Sequence, residues 1–185
     1  MGKTIYTLTM LVALHCSALA AEPDDNTMPT QSERGRLIVS HFHSTLSGKL
    51  KGAMKEGGPI SAIEVCNKEA QKIAQSLSEQ NQVTVKRITD RVRNPADAPD
   101  AIDLNVLKEF SDQLTSNANA PLEKLHSGDG VTRYYKGIVI QPPCLVCHGE
   151  NIAPSIERTL NQYYPNDQAR GYKLGELRGA FVVHF

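Results

Sequence analysis

Residues 131–149 read Val-Thr-Arg-Tyr-Tyr-Lys-Gly-Ile-Val-Ile-Gln-Pro-Pro-Cys-Leu-Val-Cys-His-Gly. The first ten are rich in β-branched and aromatic side chains, which indicates a β-strand from Val131 to Ile140. Pro142 and Pro143 cannot donate to a strand ladder, so the strand is expected to end before them. The stretch therefore places two cysteines and a histidine directly behind a strand.

The segment Cys144-Leu145-Val146-Cys147-His148 carries the most specific chemistry in the chain. Two thiols separated by two residues can add to the two vinyl groups on one edge of a porphyrin, and the adjacent histidine can then reach the iron. Gly149 would let the backbone pass close to the macrocycle. We therefore expect one covalent haem c, attached through Cys144 and Cys147, with His148 bound to the iron.

Three other kinds of site share this cysteine spacing. A thioredoxin-like redox pair needs a strand-to-helix context, but prolines precede this pair and no alternating βαβ pattern surrounds it. A structural zinc site needs further ligands close by, and the sequence has no second Cys/His cluster. A disulfide across so short a loop is geometrically unfavourable. The motif and the N-terminal sequence together favour haem attachment.

The first twenty residues have the features of a secretory signal peptide. One lysine precedes an apolar stretch, and the small residues Ala18 and Ala20 predict cleavage after residue 20. Cys16 would leave with the signal, and His15 does not fit the small residue that a lipoprotein signal requires before its cysteine. No later stretch is long and apolar enough to cross a bilayer. We expect a periplasmic protein without a membrane span in its mature form.

Charge and length limit what the mature chain can be. The sequence has 20 Lys and Arg and 20 Asp and Glu, so loss of the lysine in the signal leaves 19 − 20 = −1. This balance gives no support for a nucleic-acid partner. Residues 21–31, rich in Pro, Asp, Asn and Thr, are expected to form a disordered leader. Residues 32–185 are expected to form one domain.

The remaining pattern predicts helices first and strands later. Apolar residues four apart predict a helix over 32–57, and the Gly57-Gly58-Pro59 break is followed at once by a second helix. The further predicted elements are strands over 83–88 and 179–183 and helices over 103–117 and 155–163. This order indicates an α+β domain with an antiparallel sheet.

Cys66 is the odd cysteine of the mature chain and lies on the apolar stripe of the second predicted helix. If the other two cysteines carry thioethers, it has no disulfide partner. It is then either a small buried hydrophobe or a second axial ligand of the iron. Other side chains that could bind the iron there are His41, His43, His126, Met28 and Met54.

These features resemble a family of single-haem c-type domains with a PAS-like fold, found as exported proteins and as the sensor part of histidine kinases and chemoreceptors. The resemblance covers nearly all of the mature chain. It rests on an ordered set of segments at 62–67, 87–99, 107–110, 144–149, 164–172 and 175–180.

The resemblance implies that Cys66 is the second axial ligand, so that the iron is held by a Cys/His pair. It also implies that helices of the first half pack against the antiparallel sheet, with the haem between them. Phe185 ends the chain without the membrane helix or kinase of the larger members. A redox partner, or a signalling partner, is therefore expected to be a separate protein.

A basic group follows the first predicted strand and is the candidate contact for the haem propionates, because guanidinium forks match carboxylates. Its members are Arg87, Arg91, Arg93 and Asn94. The alternative is a solvated basic strand end.

Two functions fit this sequence. The first is an electron carrier, in which a six-coordinate haem passes single electrons without changing its ligands. The second is a sensor, in which Cys66 leaves the iron on reduction or on binding of a diatomic gas. We expect no enzymatic activity, because no acid/base pair for a peroxidase-like site is evident.

Overall fold

The computed structural model describes residues 1–2, 28–128 and 130–185. The predicted signal peptide and leader fall almost entirely on residues 3–27. Except for residues 1–2 and 28–31, both predictions, together with Cys16, therefore lie outside the described residues. In the described part of the chain, no helix has the length and apolar character needed to cross a membrane.

Helix α1 runs from Gln31 to Asn81 with a kink in the middle. The Thr30 hydroxyl accepts from the Glu33 N–H at 3.3 Å, and the Glu33 carboxylate accepts from the Thr30 N–H at 2.8 Å, which satisfies the start of the helix. At Gly58 the backbone takes a φ of 67°, which glycine tolerates, and Pro59 has no N–H to continue the helical ladder. The two helices predicted from the sequence are the two halves of α1.

Within residues 28–128 and 130–185, four antiparallel strands form one sheet in the order β1-β4-β3-β2. Their bounds are β1 Thr84–Ile88, β2 Glu123–Gly128, β3 Val131–Val139 and β4 Leu177–His184. Strands β1, β3 and β4 were predicted from the sequence pattern, and the structure confirms them. The pattern does not predict β2, because its residues are mostly polar. It is an edge strand formed by pairing with β3.

The part of the chain that the structure describes has three further α-helices: α2 Ala101–Ser116, α3 Leu145–His148 and α4 Pro154–Tyr163. Helices α2 and α4 begin and end within two residues of the predicted bounds. The cysteine motif forms α3, directly after a 3₁₀ turn at Pro142–Cys144. A second 3₁₀ turn, Pro95–Asp97, follows β1.

The helices cover both faces of the sheet. Helix α1 packs on the face that carries Tyr134, Phe181 and Val183, and α2 packs on the face that carries Tyr135 and Val182. Consecutive residues of a strand point to opposite faces, so β3 and β4 contribute to both layers. The predicted α+β fold with an antiparallel sheet is confirmed, and the arrangement is consistent with the PAS-like fold that the resemblance implies.

Candidate functional site

The cysteine motif sits between two small apolar clusters beyond the end of β3. Cys144 contacts a cluster formed by Ile140 and the segment 169–172, and Cys147 contacts a cluster formed by α1 and α4. Both cysteines are partly buried free thiols, as is Cys66, the third cysteine of the described residues. The disulfide alternative is therefore not formed in this structure.

The imidazole of His148 is held in one orientation. Its Nδ1 lies 2.8 Å from the carbonyl oxygen of Ala169, and its ring meets the ring of Tyr172 edge-on with centroids 6.2 Å apart. Burial, reinforced by the positive charges of Arg178 and Arg93, holds the pKa of His148 well below its usual value. The imidazole is therefore neutral, with its proton on Nδ1, and the lone pair of Nε2 is available to a metal.

Gly149 is needed at the end of α3. A Cβ at this position would stand 2.6 Å from the carbonyl oxygen of Leu145, which accepts the hydrogen bond from Gly149 N–H at 2.9 Å. The atoms that Gly149 approaches belong to α3 itself, and the close passage of its backbone to a macrocycle stays a prediction.

A buried ion pair links the motif to the segment after α4. Arg93 binds Asp167 with both arms of its fork, at 2.9 and 3.0 Å, and the two side chains are 9% and 0% exposed. Arg93 also donates to the carbonyl oxygens of Cys147 at 2.6 Å and Ala169 at 3.1 Å. The guanidinium therefore joins α3 to the residue that holds the His148 ring.

Cys66 lies in the same neighbourhood as the motif, although 78 residues separate it from Cys144. Burial raises the pKa of the Cys66 thiol, and the nearby guanidinium groups of Arg87, Arg93 and Arg178 oppose that rise. The pKa of Cys147 is also raised, first by burial, and a Cys66 thiolate would add to the effect. The fold thus brings the odd cysteine close to the cysteine motif.

The predicted propionate group is gathered beside the site, but its members have partners within the protein. Arg87 pairs with Asp97 at 3.2 Å, and Arg91 donates to the carbonyl oxygen of Arg170 and stacks 3.6 Å from the centre of the Tyr172 ring. Asn94 accepts from the N–H of Ala96 at 3.1 Å and caps the 3₁₀ turn. Arg93 is bound to Asp167, as described above. The alternative of a solvated basic strand end does not fit, because these side chains are engaged by other groups of the protein.

Two residues of the site were missed at the sequence level. Arg178 on β4 donates to the Thr89 hydroxyl at 2.9 Å and lies over the Tyr172 ring at 5.5 Å, and no carboxylate of the described residues forms an ion pair with it. The hydroxyl of Tyr172 is buried without a hydrogen-bond partner in the described part of the chain. Both residues fall in segments that carry the resemblance, but their spacing alone gave no sign of their role.

The other predicted iron ligands are differently placed. His41 and His43 are exposed on the first half of α1, His126 lies on the edge strand β2, and Met54 and Met28 are exposed. Within the described residues, none of these side chains shares a buried cluster or a hydrogen bond with α3. The described residues also contain no group of three or more His, Cys, Asp or Glu side chains that could hold a metal ion.

Comparison with known proteins gives a family and a fold. The profile of the Tll0287-like family matches residues 18–185. The crystal structure of the cyanobacterial heme-protein Tll0287 has a similar fold, with a TM-score of 0.63 and 24% sequence identity, over 85% of this chain and 96% of that chain. A search of curated proteins found no match.

Proposed function

Because the chain belongs to the Tll0287-like family, we propose that it is a haem protein that works in single-electron transfer. The relative of known structure is described as a heme-protein. One arrangement in this chain supports the proposal most directly: two free thiols precede a neutral histidine whose Nδ1 is already engaged by the Ala169 carbonyl oxygen.

The donor atoms around α3 fit a haem of the c type. Cys144 and Cys147 would form the two thioether bonds, and Nε2 of His148 would bind the iron. The hydrogen bond from Nδ1 to Ala169 fixes the tautomer that leaves Nε2 free for the metal. When bound, the haem supplies a one-electron redox change, and the chain holds it and sets its surroundings.

The charges of the site fit the two carboxylates of such a group. Cys66 has three guanidinium groups near it, and two of them are paired with Asp97 and Asp167. Arg178 remains without an acidic partner in the described residues, and the Tyr172 hydroxyl is an unused donor. We propose that Arg178 and Tyr172 bind haem carboxylate. The sequence pattern assigns this role to a different group of residues, Arg87, Arg91, Arg93 and Asn94.

Cys66 would hold the iron together with His148 in this proposal. Its place near Cys147 and the guanidinium groups supports the assignment, because positive charge stabilises a thiolate. Coordination to iron would deprotonate the thiol in spite of its burial. Two protein ligands would fill both axial positions, which suits electron transfer without a change of ligand.

The mass and extractability of the pigment test the proposal and the predicted export together. Periplasmic protein should have the intact mass of residues 21–185 plus one haem, and acid-acetone should leave the pigment on the polypeptide. A Cys144→Ala/Cys147→Ala variant should release its pigment, while Cys66→Ala should keep it. Covalent attachment would be refuted if acid-acetone extracted haem from the wild-type protein. It would also be refuted if the wild-type protein contained no haem. A mass that includes residues 1–20 would refute the cleavage site.

A sensor is the second candidate, and one observation favours it. Burial raises the pKa of Cys66, so a thiolate that left the iron would tend to take up a proton and stay detached. Reduction lowers the charge of the iron and weakens its hold on a thiolate. The ligand could then be displaced, and a partner protein could detect the change.

A further inference from the structure

We propose that the buried pair Arg93–Asp167 is a positioning device for His148 that sets the reduction potential of the iron through the carbonyl oxygen of Ala169. The inference rests on the proposed haem function. It assigns to Arg93 a role other than the direct propionate contact that the sequence suggested.

Both ends of the Ala169 residue are tied to this pair. The Asp167 carboxylate accepts from the Ala169 N–H at 2.9 Å, and Arg93 donates to the Ala169 carbonyl oxygen at 3.1 Å. The same carbonyl oxygen lies 2.8 Å from Nδ1 of His148. Ala169 is fully buried, so water does not compete for these contacts. The position of the imidazole therefore depends on the ion pair.

Arg93 also affects the electron density of the Ala169 carbonyl oxygen, which it shares with His148. A guanidinium that donates to it draws electron density away and makes it a weaker acceptor for the His148 proton. The imidazole then keeps less negative character and donates less to the iron, which favours the reduced state. Arg93 should thus raise the potential. Asp167 should lower it, both through its own charge and by neutralising Arg93.

The reduction potential should shift in opposite directions in two variants of the pair, which a purely structural role would not produce. Asp167→Asn keeps the shape and one acceptor oxygen but removes the negative charge, so the potential should move to more positive values. Arg93→Lys keeps the charge but cannot span Asp167 and both carbonyl oxygens, so the potential should move to more negative values. In the reduced protein, the proton on Nδ1 of His148 should shift downfield in Arg93→Lys, because its hydrogen bond is stronger.

Arg170 provides a matched control. It also pairs with Asp167, at 2.9 Å, but its other side-chain partners are Glu157 and Asn161, and it does not contact the Ala169 carbonyl oxygen. Arg170→Lys should leave the potential and the Nδ1 proton resonance unchanged.

Redox titration and proton NMR of the haem-loaded full-length protein decide the matter, with thermal unfolding measured alongside. Shifts of the same sign in Asp167→Asn and Arg93→Lys, or an equal shift in Arg170→Lys, would overturn the inference. Loss of folded protein in both variants would assign the pair to stability alone and would also overturn it. Wild-type protein without haem would instead refute the proposed function.

Discussion

At the scale of single residues, burial raises the pKa of the Cys66 thiol, and nearby positive charge limits that rise. Its partial burial favours the neutral thiol, while three guanidinium groups favour the thiolate. A purely structural cysteine in a hydrophobic core has no need of nearby positive charge. The environment of Cys66 therefore supports a role as an anionic ligand.

Replacing Cys66 by serine tests this role. The haem should remain attached, because its thioethers come from Cys144 and Cys147. The low-spin thiolate EPR signal should disappear, and the reduction potential should rise by about 0.1 V or more, since axial ligands alone change haem potentials over about 0.8 V. The comparison variants are His41→Ala, His43→Ala and His126→Ala, which should leave both quantities unchanged. An altered spectrum in one of these, with none in Cys66→Ser, would transfer the site to a histidine.

Arg178 should matter to stability only when the haem is present. In Arg178→Met the haem-loaded protein should lose about 1.5–3 kcal/mol of unfolding free energy, the usual range for a hydrogen bond to a charged group. In the Cys144→Ala/Cys147→Ala background, after its pigment has been extracted, the same change should cause no loss, because Arg178 is then a buried cation near Arg87 and Arg93. Thermal unfolding of both backgrounds measures the difference. Arg158→Met on the exposed side of α4 is the control, and an equal loss in both backgrounds would contradict a haem contact.

At the scale of elements, the fit of α1 on the sheet depends on a glycine. A Cβ at Gly35 would collide with the ring of Tyr134 on β3, and Tyr134 is itself buried. Close packing leaves the ring little room to move, so the helix can lie at its present distance from the sheet only without that methyl group.

Two alanine substitutions on the same helix should therefore have opposite effects. Gly35→Ala should lower the free energy of unfolding by about 1–3 kcal/mol through overpacking against Tyr134. Gly48→Ala meets no atom within 4 Å and should raise it by about 0.5–1 kcal/mol, because alanine is the better helix former. Denaturant unfolding measures both changes. If the Gly35→Ala protein were as stable as the Gly48→Ala protein, the close contact of α1 with Tyr134 on β3 would be contradicted.

The elements also show what the sequence could and could not predict. Periodicity predicted both halves of α1, and the glycine and proline at positions 58 and 59 predicted the break, because these signals are local. The edge strand β2 has no local signal, since its formation depends on pairing with β3. The motif at Cys144–His148 was evident from spacing, but the partners of Arg93 and Arg178 were not. Those contacts join residues 74 and 89 positions apart and depend on the whole fold.

At the scale of the whole molecule, the site is built where parts from both ends of the chain meet. The second half of α1 supplies Cys66, the segment after β1 supplies Arg93, and β4 supplies Arg178. If Cys66 binds the iron, as proposed, a change at the iron would act directly on α1, which also packs along one face of the sheet. Whether the ligands change with redox state decides between a carrier and a sensor.

Hydrogen exchange can distinguish the two functions by following residues 59–81 of α1. If the protein is a carrier, Cys66 stays on the iron, and the oxidised and reduced proteins should exchange these amides at the same rate. Oxidised Cys66→Ser is the reference for a helix that has lost its bond to the iron, and its amides should exchange faster. Helix α2, which packs on the opposite face of the sheet, is the internal control. We expect the reduced wild-type protein to match the oxidised wild-type protein. If it matches Cys66→Ser instead, with α2 unchanged, then reduction releases the ligand and the protein acts as a sensor.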